Sequence, residues 1–258
     1  MEIPTFRLDG SVALVTGTGS GMGKAFAIAL AQYGADVALT ELPGKEALAE
    51  ETAAQVRAAG RRALVIPLDV TRLPMIQAMV DRVVSEWGRI DILVNNAGMN
   101  IRRMAVDVTE DDWDKVLDTD LKGVFFVAQA VGKHMIGRGQ GGKIVNMASQ
   151  IGLVAYHSRI AYCAAKAGVI NMTRVLAFEW ARYKIKVNAV APTFVNTPFV
   201  EKLLKEDAEL RQDVLNRIPL GRLAEVEDVV GAVIYLASPA SDMVTGHTLL
   251  VDGGWTAV

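Results

Sequence analysis

The sequence predicts an α/β protein, a single domain built on a doubly wound, seven-stranded parallel sheet. Three observations lead there. Short apolar runs recur at fairly even intervals along the 258 residues. These runs are continuous rather than alternating, as a parallel sheet covered on both faces requires. Between them lie segments whose apolar residues repeat at helical spacing. Length alone allows two domains, but α/β chains of about 250 residues are routinely one. The domain is therefore expected to span 1–258.

The strands are expected at 12–16 (VALVT), 36–40 (DVALT), 63–68 (ALVIPL), 91–95 (DILVN), 143–148 (KIVNMA), 186–191 (KVNAVA) and 247–252 (HTLLVD). A helix starts near Lys24, and further helices are expected at 47–59, 75–87, 113–134 and 164–182. Strictly alternating strands and helices imply right-handed crossovers, with a ligand crevice at the carboxyl ends of the strands. Ligand residues should then follow strands. The GRGQGG stretch at 137–142 reads as a flexible loop between a helix and a strand. The longest departure from the alternation is 192–225, which follows a strand and carries one or two short helical patterns. An insertion there lies over the crevice, so a small mobile lid is expected around 193–225. A packed helical hairpin is the alternative.

Composition excludes several classes. Lys plus Arg number 27 against 29 Asp plus Glu, a net charge of −2, too balanced to attract nucleic acid. The single cysteine, Cys163, precludes an internal disulfide, and His134, His157 and His247 lack local metal-ligand spacing, so metal-free chemistry is expected. The N-terminus lacks an apolar signal core and no stretch approaches membrane-spanning length. A cytoplasmic protein that neither binds nor spans a membrane is expected.

After the first strand comes TGTGSGMG at 16–23, and a helix follows. Gly17, Gly19, Ser20, Gly21, Met22 and Gly23 thus form a turn in which glycines let backbone N–H groups approach a pyrophosphate, beside a helix N-terminus carrying partial positive charge. Glu41 stands 18 residues beyond Gly23, at the end of the second strand. This is the place of the acidic partner for an adenosine ribose in a Rossmann-type fold. Its carboxylate accepts ribose hydroxyls but repels a 2′-phosphate, so NAD is expected over NADP. Lys45 keeps NADP open, since one flexible lysine can hold a phosphate.

With this turn in view, the chain from about Leu8 onward resembles the short-chain dehydrogenase/reductase family. The marks are TGTGSGMG, Asp69 after the third strand, NNAG at 95–98, Ser149 after the fifth strand, Tyr162-Cys163-Ala164-Ala165-Lys166, and VNAVAP at 187–192. The resemblance implies that Asp69 and Val70 hold the adenine. Asn95, Ala97 and Gly98 would line the middle of the cofactor, and Pro192, Val195 and Thr197 would flank its carboxamide, with Tyr162 and Lys166 also touching it. Ser149, Tyr162, Lys166 and Asp120 would be catalytic. The residues support this independently. Tyr162 and Lys166 are four apart on a helix and share one face. A phenol is a poor base at neutral pH, but a nearby ammonium and an oxidised nicotinamide favour its ionised form. The Ser149 hydroxyl can orient and stabilise the reacting oxygen. The implied reaction is hydride transfer between a secondary alcohol and nicotinamide, with Tyr162 exchanging the proton.

Two positions depart from the family pattern. Asp120 stands where the family usually has an asparagine that helps hold a water on the proton path from the lysine. Its carboxylate would raise the lysine pKa. Thr193 stands where glycine commonly follows the proline, and it either narrows the nicotinamide end or contacts substrate.

The substrate-facing set is mixed and rather polar: Asn100, Arg102, Arg103, Gln150, His157 and Arg159, beside Met99, Phe194, Asn196 and Phe199. Polar pocket walls favour a small hydroxylated substrate, because unpaired buried polar groups are costly. The pattern, with NAGMNIRR and VDGGW, resembles the branch acting on sugars, polyols and sugar acids. Arg102 or Arg103 would pair a substrate carboxylate, with at least one of the two solvated. A 3-oxoacyl-carrier-protein reductase using NADPH is the second reading, and a dinucleotide sensor without catalysis the third. The resemblance also implies a homotetramer, joined through helices 113–134 and 164–182 and through the C-terminal strand region. The nearly all-round apolar helix at 164–182 is compatible with that.

Overall fold

The computed structural model describes residues 3–257. Seven parallel strands form one sheet: β1 (Val12–Thr16), β2 (Asp36–Glu41), β3 (Ala63–Pro67), β4 (Ile92–Asn95), β5 (Gly142–Met147), β6 (Ile185–Pro192) and β7 (Thr248–Val251). Their order is β3-β2-β1-β4-β5-β6-β7. Each strand falls within a residue or so of its expected place. Continuous apolar runs are legible because both faces of the sheet are buried. Along β1, Ala13 and Val15 face one core while Val12 and Leu14 face the other.

The first core is closed by α1 (Gly21–Gln32), α2 (Glu46–Ala58) and α9 (Val226–Ala237), through Phe26, Leu30, Val56, Val229 and Val233. The second is closed by α3 (Leu73–Trp87), α5 (Val124–Arg138) and α6 (Ile160–Trp180), through Met79, Val83, Val131 and Leu176. Each such side chain, removed wholly from water, contributes about 1.5–3 kcal/mol.

The helix expected at 113–134 is a composite. α4 (Glu110–Leu117) runs into a π-type turn at Asp118–Gly123, which continues as α5. Such a turn inserts a residue into the helix and commonly marks a functional position. Here it carries Asp120. The segment at 193–225 contains α7 (Pro198–Glu206) and α8 (Ala208–Asn216). Leu204, Leu210, Val214 and Ile218 bury against Tyr156 and Trp255, so the pair is anchored on its own small core.

Candidate active site

The chain leaves β1 to build β2 and β3 on one side, then returns to place β4 on the other. Segments leaving β1 and β4 diverge, and the crevice opens at that switch point. It holds two cavities that share walls at Met22, Asn96, Gly98 and Met99.

The first, about 410 Å³, is lined by the glycine turn, Glu41, Asp69, Val70 and Ala97. Gly17 and Gly21 have φ of 70° and 54°, the left-handed region that suits glycine. A Cβ on Gly23 would lie 2.0 Å from the Gly17 carbonyl oxygen, so only glycine lets α1 start this close to the turn. The first turn of α1 has no acidic residue, and Ser20 makes no side-chain cap, which leaves its N–H groups directed at an anion. The Glu41 carboxylate accepts the N–H groups of Gly19 at 2.8 Å and Leu42 at 2.9 Å, and is thereby fixed in the wall of this cavity. A cradle that a Cβ would fill, a free helix N-terminus and a placed carboxylate together fit a dinucleotide.

The two asparagines of NNAG divide the work. Asn95 is buried away from both cavities and donates to the Val124 carbonyl and to Asn146 Oδ1, each at 3.1 Å. Asn96, which sequence reasoning did not single out, lines both cavities and ties the crevice together. Its side chain donates to the Thr16 and Gly17 carbonyls at 2.9 and 3.1 Å, while its own N–H donates to Thr16 Oγ1. Adjacency to Asn95 was the only signal available.

The second cavity, about 260 Å³, is lined by Ser149, Tyr162, Lys166, Asp120, Pro192 and Thr193, with Val195 and Thr197 at the foot of α7. β5 ends at Met147 and delivers Ser149 to the crevice. α6 supplies Tyr162 and Lys166 one turn apart. Lys166 Nζ donates to the Met147 carbonyl at 3.0 Å, lies 3.0 Å from Asp120 Oδ2, and stands 5.3 Å from the centre of the Tyr162 ring. Asp120 also accepts the Met99 N–H at 2.7 Å. A Cβ on Gly98 would meet the Asp120 carboxylate at 2.8 Å, so that glycine makes room for it.

Burial works against the Lys166 charge, but Asp120 and Tyr162 together outweigh it and the ammonium is held above its usual pKa. Burial pushes Asp120 up, opposed by Lys166. For Tyr162, burial raises the pKa, Lys166 lowers it and Asp120 raises it, with a net upward shift. The sequence reading, which weighed only cations, expected phenolate to be favoured. Lys166 does act toward phenolate, but without the nicotinamide burial and Asp120 together outweigh it.

The Ser149 hydroxyl donates to Gln150 Oε1 at 2.9 Å, and Gln150 in turn lies 3.5 Å from Thr193 Oγ1. Thr193 therefore braces Gln150, and through it Ser149, while also lining the cavity. Asn100 lines the cavity as well, and its Oδ1 has no hydrogen-bond partner among the described residues. The expected arginines separate. Arg103 pairs with Asp112 at 2.5 Å and Arg102 with Asp207 at 3.4 Å, and neither lines the cavity. His157 lies outside it too, 3.9 Å from Asp213. Arg159 does line it, at 3 % exposure, its guanidinium 4.9 Å from the Tyr156 ring centre and 5.2 Å from that of Phe194. Burial, then nearby Arg102, holds its pKa down.

A dinucleotide cradle opening onto a tyrosine, lysine and serine around one small cavity defines a nicotinamide-dependent oxidoreductase. The family model described as enoyl-(acyl carrier protein) reductase matches residues 17–256. The chain is 43% identical over 257 residues to 2-dehydro-3-deoxy-D-gluconate 5-dehydrogenase of Escherichia coli, covering 100% of both chains. It is 40% identical over 251 residues to an NAD-dependent glycerol dehydrogenase of Listeria innocua, covering 97% of this chain and 96% of the other. Among solved structures, a gluconate 5-dehydrogenase from Burkholderia cenocepacia in complex with NADP and tartrate superposes with a TM-score of 0.92 at 40% identity, covering 98% of each chain. The chain belongs to the short-chain dehydrogenase/reductase family, NAD(P)-dependent oxidoreductases of CH–OH groups. Among the described residues no helix is long and apolar enough to cross a membrane.

Proposed function

We propose that this protein is an NAD-dependent dehydrogenase of a sugar, polyol or sugar acid. The observation that carries the reading is a cavity of about 260 Å³ in which Tyr162, Lys166 and Ser149 face polar walls provided by Asn100, Gln150 and Arg159. The named activities of the similar proteins, on glycerol and on sugar acids, support it.

The turn from Gly17 to Gly23, with Glu41, Asp69, Val70, Asn96, Ala97 and Gly98, would hold the dinucleotide. Pro192, Val195 and Thr197 would border its nicotinamide. When bound, the nicotinamide supplies or accepts the hydride. In the oxidation direction Tyr162 takes the substrate hydroxyl proton as the carbinol C–H bond breaks, and in reduction it returns that proton to the carbonyl oxygen. Ser149 hydrogen-bonds the same oxygen and steadies its developing charge, while Lys166 offsets charge on the phenolate. Asp120 acts through Lys166. Glu41 supports NAD over NADP, since a 2′-phosphate beside a fixed carboxylate is repelled.

The carrier-protein reductase reading suits the cavity less well, because a long acyl chain would leave the buried Arg159 uncompensated. Of the two packed helices, α7 borders the substrate cavity through Phe199, Val200 and Leu203 and serves as its lid. A cytoplasmic homotetramer is inferred, supported by Phe178 at 87 % and Val175 at 48 % exposure on the outer face of α6 and by a single cysteine. The test is a panel of polyols, sugars and aldonates with NAD and NADP, followed by the near-ultraviolet absorbance of reduced nicotinamide. Reduction of NAD by a member of the panel supports the reading, and inertness toward all of them with either cofactor contradicts it.

A further inference from the structure

We propose that Arg159 is the anion anchor of the substrate cavity, so that the preferred substrate carries a carboxylate. The inference rests on the dehydrogenase reading and narrows it from hydroxylated compounds in general to sugar acids.

A guanidinium at 3 % exposure normally has a carboxylate beside it, because an uncompensated buried charge is expensive. Arg159 has none among the described residues. Among the described residues its guanidinium donates to the His157 carbonyl, at a long 3.5 Å. The neighbouring arginines each face a carboxylate: Arg103 pairs with Asp112, Arg217 with Asp213, and Arg102 with Asp207 at a longer 3.4 Å, its Nε unpartnered among the described residues. Asp213, the carboxylate near this aromatic cluster, is engaged by the Tyr156 hydroxyl at 2.8 Å and by Arg217 at 3.0 Å.

Packing holds the unpaired group in place. The Arg159 guanidinium lies against the rings of Tyr156 and Phe194, which themselves meet edge to face at 5.6 Å between centres. Stacking of this kind orients a planar cation and leaves its edge donors free. Backbone pairing between Arg159 and Arg103, with the Arg103 N–H donating to the Ser158 carbonyl at 3.0 Å, fixes the start of α6 from which it projects. Arg159 shares the cavity with Ser149 and Tyr162, and Asn100 adds an unpartnered carbonyl oxygen to the wall. An acceptor-only planar anion with hydroxyls along its chain answers both: the carboxylate pairs bidentately with Arg159, and a hydroxyl donates to Asn100.

The experiment compares an aldonate with the alditol of the same carbon number, taking the ratio of their kcat/KM values for the wild type, Arg159→Lys and Arg159→Met. The acid-to-polyol ratio should favour the acid in the wild type and fall about 30-fold or more in Arg159→Met, chiefly through KM for the acid, with Arg159→Lys between them. Binding of reduced cofactor and the thermal midpoint report whether each variant is folded. If Arg159→Met does not fold, Arg159→Lys carries the comparison, since it keeps the charge and loses the fork. Wild-type turnover of acids with a ratio unchanged in the folded variants overturns the anchor and leaves the dehydrogenase reading intact. Turnover of neutral polyols alone also overturns the anchor. Inertness toward both compounds, with either cofactor, removes the dehydrogenase reading and the anchor with it.

Discussion

Lys166 Nζ and Asp120 Oδ2 lie 3.0 Å apart in the interior, with the lysine 3 % and the aspartate 0 % exposed. The ammonium behind Tyr162 therefore has a carboxylate of its own. An asparagine at 120 could accept a hydrogen bond but not offset the charge, so the aspartate changes the electrostatics around Lys166 and Tyr162. It stabilises Lys166 as a cation and works against ionisation of Tyr162.

Asp120→Asn should accordingly lower the pKa of the group whose deprotonation switches on alcohol oxidation. Burial still holds the Tyr162 phenol high, but the negative neighbour that adds to that effect is gone. The acidic limb of the kcat/KM profile for oxidation should move down by about one pH unit, with a smaller change in the plateau. A profile of rate against pH for both proteins measures this. An unmoved limb shows that Asp120 is no part of the proton path's tuning.

Glu41 is the residue on which the proposed preference for NAD rests. Its carboxylate is pinned by the Gly19 and Leu42 N–H groups and has little freedom to swing from an incoming phosphate. Glu41→Arg should shift the ratio of kcat/KM for NAD to that for NADP by about 100-fold or more toward NADP, since repulsion is replaced by a pairing cation. Steady-state kinetics with both cofactors give the ratio. A wild type that prefers NADP would show that Lys45, not Glu41, governs the adenosine end.

Asp228 is a stability probe remote from the chemistry. Hydrogen bonding from Arg222 and from the Glu225 N–H holds its carboxyl down to about 2, and it closes the capping box of α9. A folded-state pKa below the unfolded one stabilises above the unfolded value, near 4, and the effect is lost as pH falls toward 2. Asp228→Ala should remove about 1 kcal/mol at neutral pH, lowering the thermal midpoint by about 2–4 °C. The gap between the two proteins should narrow in acid. A constant gap from neutral pH to pH 3 would place the effect in packing rather than charge.

Most of the fold was legible because each strand is buried on both faces and announces itself as an apolar run. The interruption at Asp118–Gly123 was not, since a π-type turn keeps helical composition on both sides. In the site, local spacing revealed the glycine turn and the Tyr162–Lys166 face. Long-range partners were hidden. Arg102 and Arg103 stand in the stretch after NNAG where substrate residues were expected, yet each finds a carboxylate far along the chain or on the next helix, while Arg159 finds none. Charge alone could not separate them. Asn95 and Asn96 posed the same difficulty, because only the geometry at the end of β4 decides which side chain turns into the sheet.

The most direct test of the account is Tyr162→Phe, assayed with the best alcohol from the substrate panel beside a titration of reduced cofactor. The ring remains to fill its place over Lys166, so cofactor affinity should stay near that of the wild type. Turnover should fall about a thousand-fold, because the proton acceptor for the alcohol has been removed. Cofactor bound and turnover lost is the result the account predicts. Turnover close to the wild-type rate in a folded, cofactor-binding Tyr162→Phe protein would contradict it.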